Sequence, residues 1–170
     1  ATRSSIDDEF ANPVNLTELN TEDDEGSPYV SSDGLEIFFS TWSDDAAVGY
    51  SNIWMAERAS PDEEFGTPVE LTSVNSPADD FNPTLSADGL TLFFSDWTHA
   101  VRPGGHGEMD IWYATRASVD DVFGDVTNRE EPVNSSLGDA NLHVSSDWPA
   151  DDSSAYFFSG RPGGPEHPTF

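Results

Sequence analysis

Three copies of one short motif run through the chain: Ala1-Thr2-Arg3-Ser4-Ser5, Ala56-Glu57-Arg58-Ala59-Ser60 and Ala114-Thr115-Arg116-Ala117-Ser118. The steps are 55 and 58 residues, and other residues keep the same spacing. Phe10, Phe65 and Phe123 each follow an acidic cluster. Pro13-Val14-Asn15-Leu16 matches Pro68-Val69-Glu70-Leu71. Ser31-Ser32-Asp33-Gly34-Leu35 matches Ser86-Ala87-Asp88-Gly89-Leu90. Ile37-Phe38-Phe39-Ser40 matches Leu92-Phe93-Phe94-Ser95, and Tyr156-Phe157-Phe158-Ser159 answers both. Asn52-Ile53-Trp54 matches Asp110-Ile111-Trp112. A period of this size means repeated supersecondary units that stack to share their cores. The repeats run over about residues 1–55, 56–113 and 114–170 within a single domain.

Each unit reads as four short antiparallel strands, with no amphipathic helix. The first strand follows a proline at Tyr29-Val30 and Thr84-Leu85, and its third copy is His143-Val144. An Asp-Gly turn comes next, where glycine supplies positive φ. The second strand carries the Phe-Phe pair and is apolar without interruption, so both its faces are expected to be buried. The third runs Asn52–Arg58 and Asp110–Arg116. The fourth, near Pro68–Thr72, is short and starts at proline, as an edge strand does. In the third copy Trp148-Pro149-Ala150-Asp151-Asp152 stands where the others have glycine, which predicts a longer, bulged hairpin loop.

The expected fold class is therefore all-β, a partial β-propeller of about two and a half four-stranded blades. Stacking such blades radially covers both faces of each sheet. The residues resemble the WD40-like β-propeller repeat family of the TolB type. That pattern runs Asp-x-x-Pro-x-x-Ser-x-Asp-Gly, an aromatic strand ending in Ser, Arg-Pro-Gly-Gly, then Asp-Ile-Trp. Residues 80–89, Arg102-Pro103-Gly104-Gly105, Arg161-Pro162-Gly163-Gly164 and Asp110-Ile111-Trp112 carry it. The first copy departs from it at Ser43–Gly49, and the third at Leu142, which replaces proline. The resemblance implies a bacterial, extracytoplasmic scaffold, periplasmic or secreted, that contacts protein, small-molecule or glycan ligands. It also implies further blades or neighbouring domains, since a closed propeller needs ~4 or more blades. It brings no family-wide catalytic residues. The sialidase Asp box, Ser-x-Asp-x-Gly-x-Thr-Trp, does not fit, because Asp88 and Gly89 are adjacent.

Charge narrows the partners. The formal net charge is −27, and all six basic residues are arginine. Such a surface repels phosphate backbones and anionic lipid, so neither nucleic acid nor membrane insertion is expected. It suits high salt, where self-repulsion is screened. No apolar run reaches the ~20 residues of a membrane-spanning helix. Without cysteine there are no disulfides, thiol nucleophiles or cysteine-ligated zinc.

The connections between second and third strands are long and varied, and function concentrates in such loops. The candidate ligand-binding residues are Asp44, Asp45, Trp97, His99, Arg102, His106 and Glu108. No catalytic or metal-binding residue is assigned. The acidic doublets recur with the repeat and lie at both ends of the units, as solvating or structural groups do. Calcium is the one cofactor they would admit. His99, His106, Glu108 and Asp110 share a loop, but the histidine pair has no second copy. The Asp110 carboxylate is expected to accept backbone N–H groups there instead. Arg102 is expected to close its loop against a neighbouring acid. Trp42 and Trp97 are expected to pack between units rather than to stack on a sugar. The function expected is a non-enzymatic binding scaffold. The alternative is the propeller part of a carbohydrate-active or peptidase enzyme whose catalytic residues lie largely elsewhere. That alternative requires inward-pointing carboxylates within ~5–10 Å of each other.

Overall fold

The computed structural model describes residue 3, 5–43, 50–97, 102–145, 148 and 154–160. The fold is all-β. Strands β1 (Asp24–Val30), β2 (Glu36–Trp42), β3 (Ser51–Glu57) and β4 (Val69–Glu70) form a four-stranded antiparallel meander. Strands β5 (Asp79–Leu85), β6 (Thr91–Trp97), β7 (Met109–Thr115) and β8 (Gly124–Asn128) form a second. Strands β9 (Asp139–Val144) and β10 (Ala155–Ser159) make a hairpin. None of these sheets closes on itself. The helical content described is one turn, α1 (Glu130–Val133), interrupted at Glu131.

The inner strands β1, β5 and β9 start well before the expected positions. Each begins at an acidic residue and passes through a bulge at Ser27, Asn82 or Asn141, all with left-handed φ of 49°, 53° and 59°. Asn adopts this conformation more easily than most residues. Pro28 and Pro83 follow the bulge directly, where the ladder is already broken and a missing N–H costs little.

The repeated residues form a framework. In the hairpin turns, Ser31 Oγ donates to Asp33 Oδ1 at 2.7 Å, and the Leu35 amide donates to the same oxygen at 3.0 Å. Ser86, Asp88 and Leu90 repeat this at 2.6 and 3.0 Å. These donors hold the Asp33 carboxyl below its ordinary range. Gly34 and Gly89 close the turns at φ of 76° and 74°. Arg58 and Arg116 each donate from Nε to the turn carbonyl, Gly34 O or Gly89 O, at 2.7 Å. Each guanidinium also lies 4.4 Å from the ring centre of Phe65 or Phe123. The recurrent Arg and Phe thus clamp the third strand to the hairpin turn. Arg3 lies over Phe10 in the same way at 4.7 Å.

Between units the same pair of faces meets twice. Phe38 and Ile53 of the first unit pack on Leu92, Phe94, Ala114 and Phe123 of the second. Phe93 and Ile111 of the second pack on Ala155, Phe157 and Leu142 of the third. Both faces of β2 and β6 are therefore buried, as expected, with Phe38, Phe39, Phe93 and Phe94 all in the core. Burying each such ring contributes ~1.5–3 kcal/mol. Bulge amides bolt the units together: Asn82 N donates to Ser40 Oγ at 3.2 Å, and Asn141 N to Ser95 Oγ at 3.1 Å. At the opposite end, Arg116 pairs with both Glu36 oxygens at 2.8 and 2.7 Å.

The third hairpin corrects the sequence alignment by one residue. His143, the counterpart of Thr84, pairs with Tyr156, so Tyr156 takes the position of Phe38 and Phe93. Phe158 then stands where the other units have Ser40 and Ser95. Phe157 is buried, whereas Phe158 is 56% exposed. A one-residue slip turns every side chain to the other face. Here the slip puts Ala155 and Phe157 against the second unit, the alternation that a one-sided core selects.

Candidate functional site

Two regions bear on function, and the long-loop end is the first. Asp44, Asp45 and His99 lie outside the described residues. Trp97 ends β6 half-exposed, and Glu108 lies exposed just before β7. His106 Nε2 meets Glu130 Oε2 at 2.8 Å. Arg102 is turned inward and 9% exposed. It donates to Asp80 Oδ1 at 2.7 Å and to Val74 O at 2.8 Å, and lies 5.1 Å from the ring centres of Phe94 and Trp112. Its loop is thus closed on a neighbouring acid, and its guanidinium faces the core. The Asp110 carboxylate accepts the amides of His106 and Gly107 at 2.5 and 3.4 Å. Among the described residues, no three His, Asp or Glu side chains converge as metal ligands would.

Gly107 fixes how this loop sits. A Cβ there would clash with the Leu137 carbonyl and lie 2.7 Å from Ser135 O, both backbone atoms of the next connection. Gly107→Ala is expected to lower stability by about 1–3 kcal/mol, read from urea midpoints.

Under the loop lies a buried acid group. Asp80, Asp96 and Asp110 are 0%, 3% and 1% exposed, with Arg102 beside them. Burial pushes Asp80 up in spite of Arg102. Burial, reinforced by the charges of Asp110 and Asp80, pushes Asp96 up to about 6. A carboxyl raised on folding favours the folded state below its ordinary value, and that advantage is lost as pH rises to about 6. The rise corresponds to roughly 3 kcal/mol at 1.36 kcal/mol per tenfold in proton affinity. Thr41 occupies the equivalent position in the first unit, paired with Asn52 as Asp96 is with Asp110. Asp96→Asn is therefore expected to match the parent near pH 4 and exceed its stability by up to ~3 kcal/mol at pH 7. Urea melts across this range check it.

The connections between units share a further repeated device. Asn75 Oδ1 accepts Ile53 N at 2.9 Å, and its Nδ2 donates to Ile53 O at 3.1 Å. Asn134 does the same to Ile111, both at 2.8 Å. The side-chain amide thus stands in for a strand partner. The next residue is latched by an acid four positions on: Thr21 N to Glu25 Oε1 at 3.1 Å, Ser76 N to Asp80 Oδ2 at 2.6 Å, and Ser135 Oγ to Asp139 Oδ2 at 2.6 Å. The signal was present as Asn20-Thr21, Asn75-Ser76 and Asn134-Ser135. Asn134 also heads a glycosylation sequon, but it is fully buried.

The second region is the groove along the inner strands, about 250 Å³, between β1, β5 and β9. It is lined by Ser27, Pro28, Tyr29, Asn82, Pro83, Thr84, Asn141, Leu142 and His143. The bulge side chains form a chain across the three units. Ser27 Oγ donates to Asn82 Oδ1 at 2.6 Å, and Asn82 Nδ2 donates to Asn141 Oδ1. Tyr29 OH donates to Leu85 O at 2.8 Å, and burial pushes this phenol up, so it remains a neutral donor. The lining mixes polar and apolar side chains and contains no carboxylate, lysine or arginine. In a chain of net charge −27, this is a local exception.

The chain matches no family model and no characterised protein. No helix among the described residues is long and apolar enough to cross a membrane.

Proposed function

We propose that this chain is a non-enzymatic binding scaffold, part of a β-propeller that works outside the cytoplasm and takes a protein or glycan ligand at its inner-strand groove. One observation carries the reading. Equivalent residues of three successive units, Ser27, Asn82 and Asn141, converge on one groove and hydrogen-bond in series. Repetition of faces and of cross-unit bonds supports the propeller arrangement, because the second unit uses opposite faces against its two neighbours. Amides, hydroxyls and an imidazole suit neutral hydroxyl- or amide-rich ligands, which hydrogen-bond without requiring charge. The enzyme alternative draws no comparable support from the groove. It needs two facing carboxylates, and the groove lining presents side chains of other kinds.

Glycan and peptide arrays, probed with the intact chain, test the proposal. Saturable binding that His143→Ala and Asn141→Ala abolish, with melting unchanged, supports it. Binding that survives both substitutions, or turnover of the bound ligand, overturns it.

A further inference from the structure

We infer that the second unit binds a resident water molecule beneath its long connection, at a site built by Arg102, Asp110 and Trp112. Arg102 Nε, Asp110 Oδ1 and Trp112 Nε1 are each shut off from solvent and meet no hydrogen-bond partner among the described residues. Their residues are only 9%, 1% and 3% exposed. Polar groups so deeply buried are nearly always paired, with protein or with ordered water.

The three side chains share one place. Asp110 and Trp112 stand two residues apart on β7 and so face the same side of the sheet, opposite Asp96 and Phe94 of β6. The Arg102 guanidinium lies over that side, 5.1 Å from the ring centres of both Phe94 and Trp112. Gly105 covers the spot from above. A Cβ there would lie 2.8 Å from Asp110 Oδ2, 3.3 Å from Arg102 O and 3.9 Å from Trp112 Cζ2, a ring atom on the nitrogen side of the indole.

The pattern of donors and acceptors selects the occupant. Arg102 Nε and Trp112 Nε1 each carry a hydrogen to give, whereas an ionised carboxylate only accepts. A metal ion has no lone pair to offer the N–H groups, and a halide has no hydrogen to offer Asp110. Water accepts from both nitrogens and donates to Asp110 Oδ1, which makes the three bonds usual for a buried water.

The first unit repeats the pair on its third strand. Asn52 and Trp54 hold the positions of Asp110 and Trp112. Asn52 Oδ1 and Trp54 Nε1 are again buried and meet no partner among the described residues. A water that joins this acceptor to the indole two residues on is therefore a feature of the unit, to which the second unit adds Arg102. In the second unit its effect reaches the loop, because the other oxygen of Asp110 holds the amides of His106 and Gly107. Fixing one oxygen from below holds the other in place to seat the connection.

Water-edited NOE and ROE spectra of the intact, isotope-labelled chain test the inference. The indole N–H signals of Trp112 and Trp54 should each show a cross-peak to water with opposite sign in the two spectra. That sign pattern marks a long-resident water, whereas proton exchange gives the same sign in both. The signals are assigned from the parent's own through-bond spectra, so the test does not depend on a variant that folds. A high-resolution crystal structure then locates the molecule, with one water peak ~2.7–3.2 Å from each of Arg102 Nε, Asp110 Oδ1 and Trp112 Nε1. A Trp112 indole without the bound-water cross-peak would overturn the inference. So would a direct bond between Arg102 Nε and Asp110 Oδ1, or anomalous density at this position after a rubidium bromide soak.

Discussion

Arg102→Met is expected to destabilise the protein by about 3–5 kcal/mol at pH 7, because it leaves buried carboxylates without their cation. Methionine keeps much of the stem's packing against Phe94 and Trp112, so the loss isolates the charge. Asp80 would lose its 2.7 Å partner while fully buried, and the Val74 carbonyl would lose a donor. Asp96, close enough for Arg102 to lower its proton affinity, would be raised further. Acid should relieve much of the defect, since Asp80 and Asp96 are already shifted toward the neutral form. Urea melts at neutral and mildly acidic pH decide the point. A deficit of under ~1 kcal/mol at pH 7, or one that is the same at both pH values, would mean that the cation is dispensable.

The second large effect is expected at the joint between the first two units. Arg116 meets Glu36 through two short bonds, with side chains only 2% and 12% exposed. Arg116→Met should cost about 3–5 kcal/mol, because it also leaves Glu36 facing a protein surface unpaired. Glu36→Thr, copying Thr91 of the second unit, should restore part of that loss in the double variant. The cycle then gives a coupling energy of ~1–3 kcal/mol. Since units of a stacked array interact through nearest-neighbour contacts, Arg116→Met should also broaden the unfolding transition. An additive cycle would place the cost in the lost contacts to Phe123 and Gly89 instead.

These two arginines mark how far sequence reasoning reaches. Arg116 belongs to a motif of threefold recurrence, so its importance could be read from spacing alone; that it reaches Glu36 depends on how one unit rests on another. The Asp-Gly turns, the apolar second strands and the short fourth strand were legible because each rests on local periodicity or backbone chemistry. The early starts of β1, β5 and β9 were not, since a left-handed bulge, followed by proline in the first two, looks like a loop in one dimension. The third hairpin misled for a different reason. Tyr156-Phe157-Phe158-Ser159 matches its counterparts by identity, whereas pairing follows which alternate residues can be buried. Among the binding candidates, Arg102 was singled out with surface residues, yet burial gives it a role in the core. The inner-strand groove went unrecognised as a site because Ser27, Asn82 and Asn141 are unremarkable until three units lie side by side.

The strand register has a last consequence. Trp42 pairs with Ser51 across the segment 43–50, and Trp97 pairs with Met109 across the longer segment 98–108. Both sheets keep the same pairing, one residue for one, up to that border. The strand pairing is therefore the same on both sides of connections of two different lengths. For a lineage, this border is a place where a connection of a different length can carry contacts of its own, as Arg102 and Gly107 do in the second unit, while the strand pairing stays unchanged.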